Sequence, residues 1–276
     1  MNYAYSRSYR GGLGAVVFDW AGTMVDFGSC APVAAFVEVF RRFGVPITTA
    51  QAREPMGSHK KDHIRAVAHM DAVVEVARQA LGRPLSEADI EALYRDFLPI
   101  QAETIQSYSR VIPGAIELAA EVRRRELRIG STTGYTRELM QNLFPAAEAQ
   151  GYAPDATATA SDVPAGRPAP WMIFKVAAEL GVYPMAAIVK IGDTTLDVEE
   201  GLSAGTWTIA LARCGNEVGL SESELYALPY AAQRERIERA RKKLAQAGAH
   251  YVVDDPLDCV PILDEIEARV RRGERP

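Results

Sequence analysis

The sequence predicts an α/β fold, a doubly wound and mostly parallel sheet with an all-α cap domain inserted after the first strand. Three observations carry this prediction. Short apolar runs recur along the chain with helical patterns between them. Polar side chains follow several of these runs, and the long block after the first run shows helical spacing alone.

The strand candidates are short apolar segments bounded by turn residues, as expected of strands buried on both faces of a sheet. They are 13–19, 127–134, 154–162, 186–193, 206–212 and 249–255, of which 154–162 is the weakest. Three of them end in Asp19, in Ser131-Thr132-Thr133 and in Asp193. Since open α/β sheets bind ligands beyond the carboxyl ends of their strands, these side chains predict a site there.

The cap is predicted over 29–107 and the core domain over 1–28 and 108–276, with 1–12 predicted to be a flexible tail. Helical spacing within the cap covers 32–44, 47–57, 60–82 and 86–105. Ser86 followed by Asp89 is typical of a helix start. The charged segment 230–248 is predicted to be a helix with a solvated face.

Composition indicates a soluble enzyme-sized globular chain rather than a nucleic-acid or membrane protein. The 276 residues are 48% hydrophobic and 24% charged, with a net charge of −5. No apolar run approaches the length of a membrane span, and the start lacks a secretory signal. Three widely spaced cysteines favour reduced thiols and therefore a cytoplasmic location.

Asp19 is the first candidate catalytic residue. A carboxylate at a strand end, followed by glycine and threonine, can attack a phosphoryl group that backbone N–H groups and a cation hold. Asp193 and Asp197 follow a later strand, and carboxylates that meet at one sheet edge repel one another. A hard divalent cation removes this repulsion, so we expect Mg²⁺. Helix capping is the alternative role, and it suits Asp197 better than Asp193.

The turn after Asp19 lacks a second acid. Turns of this kind commonly carry one two positions later, where this chain has Ala21. The reaction must therefore need the first carboxylate and not the second.

The segments "FDWAGTMVD", "STTGYT" and "GDTTLD", in this order, resemble the haloacid dehalogenase superfamily of phosphotransferases. Longer segments, including "PMGSHKKDH" and "DVPAGRPAPWM", resemble the phosphonatase family within it, the phosphonoacetaldehyde hydrolases. The resemblance spans nearly the whole chain. It implies a Rossmann-like core, cleavage of the P–C bond of phosphonoacetaldehyde to acetaldehyde and phosphate, Mg²⁺, a homodimer and a place in phosphonate degradation. The apolar first cap helix also favours a homodimer.

The resemblance implies an amine in place of the missing acid. When a P–C bond breaks the leaving group is carbon, and a carbanion is a very poor leaving group. A lysine imine with the substrate aldehyde accepts the departing electrons as an enamine. Lys60 matches the family's Schiff-base lysine, and Asp19 its nucleophile. Burial and the metal are expected to lower the pKa of Lys60, because an amine must be neutral to attack.

Helical spacing, if it holds around Lys60, places Met56, Lys60 and His63 on one face and turns Lys61 away. The resemblance makes His63 a candidate proton relay in imine chemistry, with a structural hydrogen bond as the alternative. Met56 is expected to pack against the reacting centre.

The remaining site residues come from the resemblance. Ala21 would bind the metal through its backbone carbonyl. Asp197 would contact the metal ligands without binding the metal itself. Thr133 and Gly134 would hold the phosphoryl oxygens, with Tyr135 orienting substrate or water. Arg167 stands where most superfamily members have lysine, and its planar fork suits a phosphonate.

Some phosphonatases carry a cysteine where this chain has Ser29, with Cys30 one place later, so no thiol chemistry is assigned. The alternative function within the superfamily is a phosphomonoester phosphatase or a phosphomutase, which Ala21 disfavours. A non-catalytic phosphate-sensing protein is the alternative from another class, and it would not need the full set of site residues.

Overall fold

A single parallel sheet of six strands forms the centre of the molecule, in the order β3-β2-β1-β4-β5-β6. The computed structural model describes residues 8–276, apart from the side chain of Gln106. The strands are β1 (Ala15–Phe18), β2 (Arg128–Thr133), β3 (Ala156–Thr159), β4 (Ile188–Gly192), β5 (Trp207–Leu211) and β6 (Tyr251–Val253). All six strand predictions and the doubly wound fold class are confirmed.

The direction of strand order reverses at β1, which lies between β2 and β4. Phe18 at the end of β1 pairs with Ser131 of β2 and Ile191 of β4, so the three strands end level with one another. The crevice beyond such a reversal is where doubly wound sheets bind ligands. Asp19 therefore enters that crevice directly from the central strand.

Helices cover both faces of the sheet, because side chains of a buried strand alternate between the two faces. Val16 and Phe18 of β1 pack on one face against the helices at Ala115–Arg124, Arg137–Glu148 and Cys259–Arg271, while Ala15 and Val17 pack on the other against the helix at Trp171–Leu180. These core helices are α6 (Ala115–Arg124), α7 (Arg137–Glu148), α8 (Trp171–Leu180), α9 (Thr195–Ala204), α10 (Glu222–Ala227), α11 (Tyr230–Gln246) and α12 (Cys259–Arg271).

Five helices between β1 and α6 form a layer that we call the helical insert (residues 30–105). They are α1 (Cys30–Arg42), α2 (Thr49–Arg53), α3 (Lys60–Ala68), α4 (Asp71–Leu81) and α5 (Glu87–Ile105). The insert has a hydrophobic core of its own, whose buried residues run from Val33 to Ile100. The boundaries of cap and core at 29–107 and 108–276 stay predictions.

Two expectations about the insert are wrong in detail. Segment 60–82 forms two helices, because Met70 has an extended backbone (φ −64°, ψ 134°) and α4 starts again after it. The helix that carries Lys60 begins at that residue, since Gly57 has a φ of +98° and His59 is extended. Met56 therefore precedes the helix and does not share its face.

The apolar face of α1 is buried within the chain. Phe36 and Phe40 are fully buried, and the Phe36 ring stacks on Phe97 of α5 at 4.4 Å between centroids. Phe36 and Phe40 are therefore unavailable to a second copy, whereas Ala34 and Val37 of the same helix stay at least partly exposed. The homodimer stays a prediction.

The expected tail at 1–12 lies partly outside the described residues. Of the described part, Tyr9 packs against the core and its hydroxyl donates to the carbonyl of Gly12 at 2.8 Å. Among the described helices, none combines the length and the apolar character that a membrane crossing requires.

Candidate active site

Three carboxylates meet at the carboxyl end of the sheet. Asp19, Asp193 and Asp197 are buried, and one oxygen atom from each lies within 4.8 Å of the others. Burial, followed by the charges of Asp19 and Asp197, raises the pKa of Asp193 far above its ordinary value. Burial also raises the pKa of Asp19, against the opposing charge of Arg167. Packing so much negative charge together is costly unless a cation joins it.

The contacts of these acids fit a divalent cation. Asp193 accepts hydrogen bonds from Thr23 Oγ1 at 3.0 Å and from the backbone N–H of Asn216 at 2.7 Å, which fix its orientation. Carboxylate oxygens so oriented are the ligands that hard cations such as Mg²⁺ and Ca²⁺ prefer. The structure thus supports a divalent metal at Asp19 and Asp193.

The contacts of Asp197 differ from those of Asp193. Its Oδ2 accepts from the hydroxyl and backbone N–H of Thr194, in a capping box at the start of α9. Its Oδ1 pairs with Arg167 and Lys190, each at 3.0 Å. Burial raises the pKa of Asp197, but these two cations outweigh it and bring the value to about 2. Capping and electrostatic support are therefore combined in one side chain.

Lys60 faces these carboxylates from the insert. Its side chain is buried, and burial, the largest effect, lowers its pKa to about 7. Its Nζ lies 4.9 Å from the centroid of the Tyr135 ring and 5.6 Å from that of Phe36. Lys61 turns away and pairs with Glu91 at the surface, as helical spacing predicts.

A small cavity between insert and sheet brings most of the predicted residues together. Its walls are Asp19, Ala21, Ser29, Pro32, Met56, Gly57, Lys60, Thr133, Gly134, Tyr135, Arg167 and Thr194. The only lysine in this wall is Lys60, and the only acid is Asp19. Cys30 is not in the wall; its Sγ donates to the carbonyl of Phe27 at 3.6 Å.

His63 is buried beside the cavity and does not line it. Its Nε2 bonds to the carbonyl of Ala52 at 2.9 Å, and its ring stacks on Phe36 at 3.8 Å. Burial lowers the pKa of His63 well below its ordinary value, so the ring is neutral at physiological pH. Its Nδ1 has no hydrogen-bond partner among the described residues.

Gly134 lets the insert approach the sheet closely. A Cβ atom there would lie 2.8 Å from the carbonyl oxygen of Ser58 and 3.0 Å from that of Gly57. The preceding Thr133 accepts the backbone N–H of Tyr135 at 3.1 Å through its hydroxyl oxygen, which fixes the turn. The loop before α3 thus rests directly on the turn that follows β2.

Comparison with known proteins places this site in a family. A family model described as haloacid dehalogenase-like hydrolase matches residues 13–205. Phosphonoacetaldehyde hydrolase from Nitratidesulfovibrio vulgaris is 46% identical over 98% of this chain and 97% of its own length. A phosphonoacetaldehyde hydrolase-like protein from Syntrophobacter fumaroxidans is 45% identical over 99% of both chains. The chain belongs to the phosphonoacetaldehyde hydrolase family of haloacid dehalogenase-like hydrolases.

The structure agrees with this membership. The crystal structure of a phosphonoacetaldehyde hydrolase-like protein from Oleispira antarctica covers 100% of both chains with a TM-score of 0.97 and 39% identity. A hydrolase from Pseudomonas syringae matches with a TM-score of 0.66 at 20% identity, which shows the shared fold alone. The chain is therefore an enzyme of the hydrolase class.

Four polar residues of this hydrolase site were not foreseen from the sequence. Lys190 and Glu200 are buried next to Arg167, and Arg53 and Asn216 join the insert to the core. Lys190 did carry a signal, because a lysine inside the apolar run 186–193 indicates a buried charge that needs a partner. The other three carry no local signal, because their partners lie far away in the sequence.

Proposed function

We propose that this enzyme hydrolyses the P–C bond of phosphonoacetaldehyde to give acetaldehyde and phosphate. The observation that carries the proposal is the buried amine of Lys60, which shares a cavity with Asp19. The names of relatives that cover nearly the whole chain support the same substrate.

Lys60 supplies the electron sink. Its neutral amine adds to the aldehyde and water leaves, forming an imine. When the P–C bond breaks, its electron pair moves into the imine and gives an enamine, which takes a proton on carbon. Hydrolysis of the resulting imine releases acetaldehyde and regenerates the amine. A pKa of about 7 keeps a large fraction of Lys60 neutral near physiological pH.

Asp19 is the proposed nucleophile towards phosphorus, and attack forms an aspartyl-phosphate that water then cleaves. Arg167 supports this role, because its Nη2 lies 2.6 Å from Asp19 Oδ1 and its guanidinium can donate hydrogen bonds to a phosphonate bound next to Asp19. Thr133, Gly134 and Tyr135 form the opposite wall and would hold the remaining oxygens.

The proposed metal is Mg²⁺, held by Asp19, Asp193 and the backbone carbonyl of Ala21. When bound, the ion offsets the negative charge shared by the carboxylates and the phosphonate. Asp197 stays behind these ligands because its oxygens are occupied by Arg167, Lys190 and Thr194.

We assign Met56 to packing against the substrate, since it is buried and lines the cavity. For His63 we favour the structural alternative. Its Nε2 is held by Ala52, and the Phe36 ring stacks on it, so the ring anchors the helix that carries Lys60.

A homodimer and a cytoplasmic location complete the proposal. The exposed aromatic side chains of Trp171 and Phe174 on α8, together with Tyr183, are the surface we propose for the partner copy. Three free cysteines among the described residues suit a reducing compartment. Sedimentation equilibrium of the wild-type chain and of Trp171→Ser measures the state of assembly.

The deciding experiment measures release of acetaldehyde and phosphate from phosphonoacetaldehyde, with and without borohydride. We expect turnover that requires Mg²⁺ and loss of activity when borohydride reduces the imine on Lys60. Lys60→Arg keeps a long basic side chain but no amine that can form an imine, and it should abolish both turnover and adduct. Wild-type turnover in Lys60→Arg, or faster phosphate release from simple phosphomonoesters, would overturn the proposal.

A further inference from the structure

Arg167 has no secondary structure to hold it in place. It lies in the loop between β3 and α8, yet its side chain is only 1% exposed and points into the site. A long guanidinium side chain loses much conformational freedom when it is fixed. Its orientation must therefore come from the groups that surround it.

Those groups divide the guanidinium into two edges. Nη2 faces the reaction and donates to Asp19 Oδ1 at 2.6 Å; it also donates to the backbone oxygen and the hydroxyl of Thr132, at 3.0 and 2.9 Å, and lies 3.0 Å from Asp197 Oδ1. Nε faces away from the reaction and donates to Glu200 Oε2 at 2.9 Å. Glu200 is fully buried on α9, three residues after Asp197 and on the same face of that helix.

A second buried cation completes the arrangement. Lys190 Nζ donates to Thr132 Oγ1 at 2.8 Å and lies 3.0 Å from Asp197 Oδ1 and 3.4 Å from Glu200 Oε2. It reaches them because α9 approaches β4 closely: a Cβ at Gly201 would lie 3.1 Å from Lys190 Cβ. Without Lys190, Arg167 would be the only cation paired with both Asp197 and Glu200 among the described residues.

We propose that Glu200 and Lys190 are positioning residues that hold the guanidinium of Arg167 against Asp19 and the phosphonate. Glu200 fixes the Nε edge, and Lys190 balances the carboxylates that would otherwise draw Arg167 away from the reaction. Neither residue lines the cavity, so both act through Arg167. The inference rests on the proposed function for its substrate, but its central test does not need turnover.

The test uses Glu200→Gln, whose amide oxygen can still accept from Arg167 without the charge. Oε1 of Glu200 has no hydrogen-bond partner among the described residues, so the amide nitrogen meets no competing donor there. Glu199→Gln is the matched control, because it removes the same charge from the next position of α9. Both variants are compared for binding of inorganic phosphate by titration calorimetry, for kcat and KM, and for thermal unfolding.

A positioning role predicts that Glu200→Gln binds inorganic phosphate about tenfold more weakly and lowers kcat by about tenfold or more. Glu199→Gln should match the wild type in both. Reductive trapping of Lys60 by acetaldehyde and borohydride should be equal in all three proteins, since Lys60 makes no contact with Glu200. Absence of that adduct from the wild type would contradict the proposed function and leave the phosphate-binding result intact.

Lys190→Met keeps an unbranched side chain one atom shorter and without the charge, and serves as the second variant, including the case in which Glu200→Gln fails to fold. It should weaken phosphate binding, and the double variant Lys190→Met/Glu200→Gln should recover part of the loss because one charge of each sign is gone. Phosphate affinity and kcat within twofold of the wild type in a folded single variant would overturn the inference. So would equal losses in Glu200→Gln and Glu199→Gln.

Discussion

The side-chain nitrogen of Lys60 lies 4.9 Å from the centroid of the Tyr135 ring, inside a cavity wall that contains a single acid, Asp19. An aromatic face donates no hydrogen bond to an amine, and its attraction for a desolvated ammonium group is about 2 kcal/mol. Burial is the largest effect on Lys60, and it favours the neutral form. Tyr135 thus adds to the burial that keeps Lys60 neutral, besides lining the cavity where the phosphonate is proposed to bind.

This geometry sets the pH dependence of imine formation. Because burial lowers the pKa of Lys60 to about 7, the reactive neutral amine should increase as pH rises from 6 to 8 and level off above that. The measurement is the rate of borohydride trapping with acetaldehyde across this range. Tyr135→Phe keeps the ring and should keep the midpoint, whereas Tyr135→Ala admits water and should move it upward. A midpoint near 10 in the wild-type enzyme would contradict this account.

Asp19→Asn separates the two halves of the proposed chemistry. The amide cannot attack phosphorus, so phosphate release should fall by about 10³-fold or more. The amine is untouched, and Lys60 should still be trapped with acetaldehyde and borohydride. Loss of trapping together with phosphate release, in a folded variant, would show that the two groups do not act in separate steps.

Gly134→Ala tests the contact between the insert and the sheet. The new Cβ would lie 2.8 Å from the Ser58 carbonyl oxygen, so the loop before α3 must move and carry Lys60 with it. We expect kcat/KM to fall by about tenfold or more with little change in the unfolding temperature. Gly166→Ala is the control, since its Cβ would meet the insert at His59 at an ordinary 3.6 Å. Similar kinetics for the two variants would refute a close-packing role for Gly134.

Arg53→Met tests the bond between the insert and the core. Arg53 Nη1 donates to the carbonyl of Gly28 at 2.8 Å and to Asn216 Oδ1 at 3.1 Å, while the backbone N–H of Asn216 donates to Asp193. Loss of these bonds should favour an open insert, raise KM and speed proteolysis of the connecting segments. Arg41→Gln removes an exposed arginine that pairs with Glu38 on α1, and it should behave as the wild type.

The sheet could be predicted because buried parallel strands carry their own signal. Runs such as 13–19 and 186–193 are mainly apolar and end in an aspartate, which falls at the ligand edge whatever the packing details. This is why Asp19, Thr133 and Asp193 could be placed together from the sequence. Their arrangement did not depend on any long side chain.

The insert was less predictable, because its turns depend on backbone conformations with weak sequence signals. Gly57 was expected to lie within a helical stretch. Its φ of +98° is incompatible with a right-handed helix, and the next helix begins only at Lys60. The direction of Lys60 and Lys61 was still correct, since both lie within α3. Their separation needs only the periodicity of the helix.

Buried charges were the hardest to foresee. A lysine such as Lys190 in an apolar run has no visible partner, because Asp197 and Glu200 come to it from a helix that follows the strand. Arg53 likewise donates a hydrogen bond to Asn216, which lies 163 positions further along the sequence. Such pairs depend on how distant segments pack together, so they cannot be predicted from one sequence alone.

The helical insert buries most of its apolar side chains in a cluster of its own, from Val33 to Ile100, while Ile105 at the end of α5 joins the hydrophobic core of the sheet domain. A layer built this way can tilt as one rigid body, because no hydrophobic contact within it has to break. Lys60 belongs to the tilting body and Asp19 to the stationary one. On the proposed mechanism, the tilt that releases acetaldehyde would also separate the two reacting groups, so we expect an open enzyme to hold its amine and its carboxylate apart until substrate binds.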